Sequence, residues 1–293
     1  MRAVRIHALE SRNLLSKPGC ERMVRIIQSY PEAHQVVVLA PLLDATLELS
    51  SLLRLAESRD EKLWSVQEQR FKAWNAVIEE LLPIALGSKV MERIKQGFSD
   101  IEDILKSVWI VKESSTAILS HIEALTDSWV ADLVTHWTLG SEIDAQLAEY
   151  TAVSEDLVAR HRVLYVFGTL PQGEAVTTKT LRSEYAASLL ACDLGASGVT
   201  FWNTSSLLKS ADEREVPSAQ VIRSLSYAEA SELSFFGFPI IDPQALLPAI
   251  NEEIAVELRY WEDESDPGSV VSAHGDAENA SRVKGFSIMH NVA

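Results

Sequence analysis

Ser224–Gly237, with the sequence SLSYAEASELSFFG, is the most informative stretch of the chain. Its apolar residues recur at helical spacing, which predicts a short helix over Ser226–Phe236. Apolar runs lie before and after it, at Gly198–Trp202 and Ile254–Arg259, and both are typical of strands. The order strand, helix, strand predicts an α/β domain around a largely parallel sheet.

The same alternation extends toward the N-terminus. His161–Gly168 is predicted to form a strand that ends in glycine, and Arg182–Leu194 an amphipathic helix. At the start of the chain, the β-prone run Ala3–Ile6 is followed by helical spacing in Glu21–Ile27 and then by the nearly continuous β-branched run Gln35–Pro41. Such a run favours a strand buried on both faces of a parallel sheet, and the three segments predict a right-handed βαβ unit.

Between about residues 44 and 152 the chain changes character. Leucine, alanine and glutamate dominate, and the apolar residues follow a 3.6-residue period, which predicts a block of helices inserted after the second strand. Breaks between helices are expected at Pro83, Gly87, Gly97 and Gly140. The predicted helical segments are Leu47–Ala56, Glu61–Leu82, Val90–Val108 and Ser115–Trp137.

Composition and charge exclude several functional classes. Against 42 acidic residues there are 26 basic ones, a net charge of −16, which argues against a nucleic-acid binder. The longest apolar runs fall short of a membrane span, and the N-terminal residues lack the apolar core of a signal peptide.

The cysteines and histidines carry little functional signal. Cys20 and Cys192 are far apart, which predicts unpaired thiols in a reducing cytoplasm. The seven histidines show no metal-ligand spacing, so no metal site is predicted.

Ser224–Gly237 closely resembles the S-Y-x-E-A-x-E-L-S-Y-F-G segment of aspartokinases, and motifs around it agree. Asp212–Val216 stands in the place of D-P-R-x-V, and Ile240–Pro248 resembles V-L-H-P-x-x-x-x-P. Pro267–Val271 resembles the P-G-T-x-I turn, and Val283–Ser287 resembles the V-K-G-I-S entry to the regulatory ACT region. The resemblance covers nearly the whole chain and is closest to the kinase portion of bifunctional aspartokinase/homoserine dehydrogenases.

This resemblance implies a three-layer α/β/α amino-acid-kinase-like fold with a largely parallel central sheet and a helical insertion. Residues 1–261 would form the kinase-like domain, with the helical block at about 44–152 and a nucleotide-lobe-like part at about 161–261. Residues 262–293 would be an acidic linker and the start of a truncated ACT-like segment. Members of the family transfer the γ-phosphoryl group of MgATP to the side-chain carboxylate of aspartate, forming 4-phospho-L-aspartate.

The loops that hold the substrates in that family are altered in this chain. Arg5–Ala8 stands where the family has K-F-G-G, and Ala40–Asp44 replaces a polar loop. The G-E pair falls on Thr126-Asp127, G-R-G-G-S-D-Y becomes Lys179–Tyr185, and W-T-D-V-D-G-V becomes Trp202–Leu208. Side chains therefore replace glycines where a phosphate must approach the bare main chain, and we expect the kinase activity to be impaired or absent.

Three functions follow as alternatives. The first is a catalytically impaired or inactive aspartokinase-like domain, a structural or regulatory unit in the aspartate-family amino-acid pathway. The second is an active aspartate kinase with an atypical site, for which Arg5, Asp127 and Arg182 are the catalytic candidates. The third is a non-catalytic sensor of an amino acid or nucleotide. MgATP would be a cofactor only if the nucleotide site survives, and the candidates to bind it are Ser183, Tyr185, Thr204, Lys209, Asp212 and Arg214.

The expected partners come from the same resemblance. It implies a homo-oligomer and a fused or associated homoserine dehydrogenase, in the cytoplasm, with neither nucleic acid nor membrane as a partner. Because the ACT-like region has only begun at the last residues, the chain is expected to be a fragment of a longer polypeptide.

Overall fold

The computed structural model describes residues 3–167, 179–203, 207–211, 216–235 and 243–275. Within these ranges, residues 43–47, 179–182 and 235 are described by their backbone alone. The candidates Thr204, Asp212 and Arg214 lie outside the described residues, as does the ACT-like segment.

A sheet of eight strands forms the centre of the described structure, in the order β3-β4-β2-β1-β5-β7-β8-β6. Neighbouring strands are parallel except for the antiparallel pair β7 and β8. The predicted α/β class with a largely parallel sheet is confirmed. The strands are β1 (Val4–Glu10), β2 (His34–Ala40), β3 (Ala145–Glu149), β4 (Val163–Phe167), β5 (Val199–Asn203), β6 (Ser224–Ser226), β7 (Val256–Tyr260) and β8 (Ser269–Ser272).

Nine α-helices are present in the described residues, together with two short 3₁₀ segments at Ser11–Leu14 and Tyr150–Ala152. The helices are α1 (Lys17–Gln28), α2 (Leu43–Ser58), α3 (Lys62–Leu81), α4 (Ile84–Val111), α5 (Thr116–Gly140), α6 (Glu155–Arg160), α7 (Lys179–Asp193), α8 (Tyr227–Phe235) and α9 (Pro243–Asn251). No helix in these ranges is both long and apolar enough to cross a membrane.

The helices cover both faces of the sheet. On one face, side chains of α6, α7 and α9 pack against alternate residues of the central strands, such as Ile6 and Val36. On the other face, α1 and α5 pack against the intervening residues, such as Leu9 and Val37. This alternation follows from the two-residue period of a strand buried on both sides. It gives the three layers that the sequence predicts.

The helical block α2–α5 has an apolar core of its own, centred on the buried Trp129 of α5. The sequence predicts breaks at Gly87 and Gly97, and this prediction is wrong, because α4 runs without interruption through both. Gly97 serves packing instead: a Cβ there would lie 2.6 Å from the Trp129 ring. The breaks predicted at Pro83 and Gly140 coincide with the start of α4 and the end of α5.

The part of the stretch Ser224–Gly237 that the structure describes, residues 224–235, divides between β6 and α8, and Phe236 and Gly237 lie outside the described residues. Ser226 accepts a hydrogen bond from the backbone N–H of Glu229, and the Glu229 carboxylate accepts one from the backbone N–H of Ser226 at 2.7 Å. This reciprocal pair is a capping box, which fixes the point where the strand ends and the helix begins.

The acidic segment after Trp261 departs from the linker that the sequence predicts. Residues 262–268 form a short connection, and β8 then joins the sheet between β7 and β6. Its inward side chains, Ser269 and Val271, are fully buried. Ser269–Ser272 is therefore part of the sheet, so the exposed linker predicted from Glu262 onward does not extend through β8.

Candidate functional site

The parallel strands β1, β2, β5 and β7 all end on one side of the sheet, which we call the carboxyl edge. In open α/β sheets, ligands bind outside the carboxyl ends of the strands. In this chain β1 ends at Glu10, β2 at Ala40, β5 at Asn203 and β7 at Tyr260. A substrate site of the predicted kind would lie here.

The carboxyl end of the central strand β1 carries bulky and acidic side chains. Leu9 is buried among residues of the α1 and α5 layer. Glu10 points to the opposite face, the one that α7 covers, and its carboxylate pairs with Arg12 at 2.5 Å. The next residue, Ser11, is buried and donates its hydroxyl to the carbonyl of Ala40 at the end of β2.

Asp127 lies at the carboxyl edge, close to the end of β2. It belongs to α5, is mostly buried, and accepts a hydrogen bond from the backbone N–H of Leu42 at 3.3 Å. Leu42 is the N-cap of α2, whose own side chain makes no capping bond. Asp127 therefore satisfies one backbone donor at the start of α2 and places a negative charge where the helix dipole favours it.

Arg5 lies near the opposite end of β1, five residues before Glu10, which corresponds to about 16 Å along a strand. Its guanidinium forms an ion pair with Glu257 on β7 and lies 4.1 Å from the centre of the Tyr30 ring. The structure does not bring Arg5 to the carboxyl edge or to Asp127. The sequence motif matched Arg5 to the family lysine, but β1 continues well beyond that position.

His7 is the centre of a buried polar cluster that the sequence analysis did not single out. Trp202 on β5 donates its indole N–H to Nδ1 of His7 at 3.2 Å. Burial, together with the nearby charges of Arg5 and Arg259, lowers the pKa of His7 from 6.5 to about 3. The ring is therefore neutral at physiological pH. The available signal was a histidine in the middle of the β-prone run at the start of the chain.

The remaining candidates lie on α7 and after β5. Because α7 connects β4 to β5 across β2 and β1, its N-terminus lies toward the carboxyl edge. Ser183 is buried one turn into this helix, and Tyr185 is half-buried. Arg182 is described by its backbone alone, so its side chain is not placed. Lys209 bridges to Val221 in a short antiparallel pairing. The structure thus places Ser183 and Asp127 toward the same edge.

Within the described part of the chain, no three acidic, histidine or cysteine residues are grouped so as to hold a metal ion. The carboxyl end of β1 also offers few groups that could bind a triphosphate. Phosphate binding at a strand end needs bare main chain with N–H donors, or cations, close to the ligand. At this strand end Leu9 is buried in the layer of α1 and α5, the Glu10 carboxylate repels a phosphate, and the Arg12 guanidinium is already paired with Glu10, so the residues described here are a poor fit for MgATP.

Comparison with known proteins defines the class. The model of the amino acid kinase family matches residues 13–259, so the chain belongs to this family. Its fold is that of the aspartokinases within the family. Escherichia coli aspartokinase III, solved in complex with aspartate and ADP in the R-state, superposes with a TM-score of 0.73 at 20% sequence identity, over 92% of this chain and 64% of that one.

Two curated relatives show which proteins the chain is similar to. The chloroplastic bifunctional aspartokinase/homoserine dehydrogenase 1 of Arabidopsis thaliana is 22% identical over 290 residues, which are 89% of this chain and 32% of the relative. The bifunctional aspartokinase/homoserine dehydrogenase of Haemophilus influenzae is 32% identical over 139 residues, 46% of this chain and 17% of that protein. The chain spans about a third of the length of the Arabidopsis protein. It is an aspartokinase-like domain.

Proposed function

We propose that this domain does not transfer phosphoryl groups and acts as a structural or regulatory unit in aspartate-family amino-acid biosynthesis. The observation that supports the proposal is the Glu10–Arg12 ion pair at the carboxyl end of β1. A phosphate there would meet a carboxylate, and the nearby guanidinium is already paired with that carboxylate.

The charges at the carboxyl edge also disfavour phosphoryl transfer. Phosphoryl transfer to a carboxylate brings two anions together, and positioned donors and cations must offset their repulsion. Loss of one such donor costs on the order of 10²–10³ in rate. In this chain, Arg5 is engaged by Glu257 far from the edge, and an additional negative charge, Glu10, lies at it.

The partners proposed for the domain follow from its relatives. The Arabidopsis and Haemophilus proteins are named as bifunctional, with a homoserine dehydrogenase in the same polypeptide. We propose that this domain is fused to, or associates with, such an enzyme and that it self-associates. Its contribution would be assembly or control of the partner's activity.

An active aspartate kinase is the second candidate, and the position of Asp127 favours it. Asp127 and Ser183 both lie toward the carboxyl edge, on α5 and on the α7 helix whose N-terminus could receive an anion. In this version the cations would come from Arg182 or from Lys209, Arg214 and their neighbours after β5. A sensor that binds an amino acid or nucleotide without chemistry is the third candidate.

Calorimetric titration of the purified chain separates the three. MgATP, L-aspartate, L-threonine and L-lysine are titrated one at a time, and aspartate-dependent ADP release is measured on the same preparation. The proposed function predicts no saturable heat with MgATP and no turnover. Saturable binding of MgATP and L-aspartate with turnover identifies a kinase, and saturable binding of nucleotide without turnover identifies a sensor.

A further inference from the structure

The face of the sheet that α1 covers contains a row of polar side chains on three adjacent strands. Gln35 on β2, His7 on β1 and Trp202 on β5 all point to this face, as the parallel register of the three strands shows. Their residues are 1%, 0% and 4% exposed. Polar groups that are buried this deeply are normally hydrogen-bonded, so the partner of each polar atom determines what the row can do.

Trp202 fixes the tautomer of His7. The indole N–H is a donor only, and it donates to Nδ1 of His7 at 3.2 Å, so Nδ1 must carry a lone pair. Burial, together with the positive charges of Arg5 and Arg259, lowers the pKa of His7 to about 3 and keeps the ring neutral. A neutral imidazole carries one ring proton, which therefore lies on Nε2 and makes that nitrogen a donor.

The end of α1 orients the amide of Gln35. Nε2 of Gln35 donates to the carbonyl of Ile27 at 2.8 Å and lies 3.5 Å from the carbonyl of Tyr30. Both partners are carbonyls, which only accept, so the NH₂ group faces α1 and the orientation of the amide is fixed. Oε1 of Gln35 consequently points away from these carbonyls and is an acceptor.

The two remaining polar atoms are complementary. Nε2 of His7 and Oε1 of Gln35 are both enclosed, and neither has a hydrogen-bond partner of full geometry among the described residues. The Gln35 side chain is nevertheless near enough to the imidazole to raise its pKa as a hydrogen-bond partner, against the larger effect of burial. A small side-chain adjustment that joins this donor and this acceptor removes the cost of leaving both unpaired.

We propose that Trp202, His7 and Gln35 form a continuous hydrogen-bond relay that ends on the carbonyl of Ile27, with His7 held as its Nε2–H tautomer. The indole N–H donates to Nδ1, Nε2–H donates to Oε1, and the amide N–H donates to the carbonyl. The relay crosses β5, β1 and β2 and reaches α1. It couples Trp202, the last residue but one of β5, to that helix, so a change at Gln35 is felt at Trp202 two strands away.

The tautomer is measured by ¹⁵N NMR of the full chain labelled at histidine, because protonated and unprotonated ring nitrogens have distinct chemical shifts. We expect His7 to carry its proton on Nε2 alone and its ring to show no titration between about pH 5 and pH 8. His121, which is exposed on α5, is the control in the same spectrum, since an imidazole in contact with water exchanges its proton between the two nitrogens. A proton on Nδ1 of His7, or titration of its ring in this range, would overturn the proposal.

The coupling is measured by hydrogen exchange of the Trp202 indole N–H. Gln35→Met removes the acceptor for Nε2, so the proton of His7 can move to Nδ1, and Trp202 then loses its acceptor. We expect the indole N–H to exchange about fivefold faster than in the unaltered chain. Gln96→Met is the matched control, because it removes an exposed amide on α4 that donates to Asp100, and it should leave this exchange rate unchanged.

A folded Gln35→Met variant whose Trp202 indole exchanges at the rate of the unaltered chain would also overturn the relay. Circular dichroism establishes that each variant is folded. The tautomer measurement needs no variant, so it decides the proposal even if Gln35→Met does not fold. Neither measurement involves ATP or aspartate, so the relay and the proposed function fail separately.

Discussion

His7 shows how a single residue sets the acid sensitivity of the fold. It is fully buried in β1, and its Nδ1 accepts the indole N–H of Trp202. Its pKa is lowered to about 3 by burial and by neighbouring positive charges. In the unfolded chain the same imidazole would have a pKa of about 6.5. Between about pH 3 and pH 6.5, the imidazole is therefore mostly protonated in the unfolded state and mostly neutral in the folded state.

The stability of the protein should consequently fall as the pH falls below 6.5. His7 contributes a loss of about 2 kcal/mol in the free energy of unfolding between pH 7 and pH 5. Urea denaturation at several pH values measures this slope. His7→Gln keeps an acceptor for Trp202 and should flatten the slope, whereas His121→Gln, at an exposed position on α5, should not. Equal slopes in the unaltered chain and in His7→Gln would contradict this account.

Gly97 is a residue whose role is steric. A Cβ at this position would lie 2.6 Å from Cζ2 of Trp129, well inside van der Waals contact. Trp129 also stacks on Phe98 and meets the edge of Trp74, so the ring has little room to move. Gly97→Ala should therefore lower the free energy of unfolding by about 1–3 kcal/mol, despite the better helix propensity of alanine.

Gly87→Ala on the same helix is the control. Its added Cβ would lie 3.2 Å from the Ile78 side chain, and a shift of a few tenths of an ångström relieves that contact. We expect a change within about 1 kcal/mol, because the gain in helix propensity offsets the tighter packing. Urea denaturation compares the two variants, and equal effects of both would refute the steric role of Gly97.

At the scale of elements, the β7–β8 connection ties distant parts of the chain together. The Glu264 carboxylate accepts hydrogen bonds from Nε of Arg22 at 3.0 Å and from Nε of Arg25 at 2.6 Å. Glu264 therefore links the β7–β8 connection to α1. Partial burial opposes ionisation of Glu264, but the hydrogen bond from Arg25, a backbone hydrogen bond and the charges of both arginines together outweigh it and lower the pKa of Glu264. β8 then holds β6 in the sheet, since β6 pairs with no other strand in the described residues.

Truncation tests the structural role of this segment. A chain that ends at Gly275 keeps the described residues that follow Trp261 and serves as the reference. A chain that ends at Trp261 lacks β8, leaves β6 without a partner strand and exposes the edge of β7, so it should bind a hydrophobic dye and lose cooperative unfolding. Thermal denaturation followed by dye fluorescence measures dye binding and the cooperativity of unfolding for the two chains. A cooperative, unshifted transition for the shorter chain would show that residues 262–275 are a linker after all.

The elements also show what the sequence can and cannot predict. The first βαβ unit and the helical block are readable because hydrophobic periodicity is local information. β8 was missed because its neighbourhood is rich in Ser, Gly and Asp, and its strand character comes from pairing with β7 and β6, which are close in space. The predicted break at Gly97 failed because packing with Trp129 outweighs the local preference of glycine.

The candidate site was predicted less well than the fold. A family motif places Arg5 at the phosphate loop, yet the strand that contains Arg5 continues to Glu10 before it ends. The point where a strand ends depends on its pairing, which one sequence does not record. Asp127 became a candidate because the G-E pair of the aspartokinase family falls on Thr126-Asp127, not because of any local pattern in the sequence.

At the scale of the whole molecule, the chain has an amino-acid-kinase scaffold, and we propose that the end of its central strand does not bind phosphate. The measurement that tests this most directly is aspartate-dependent release of ADP by the purified chain with saturating MgATP and L-aspartate, with active Escherichia coli aspartokinase III assayed in parallel. We predict a rate that does not exceed the rate without aspartate. Turnover that requires aspartate and is proportional to the concentration of this chain would contradict the account.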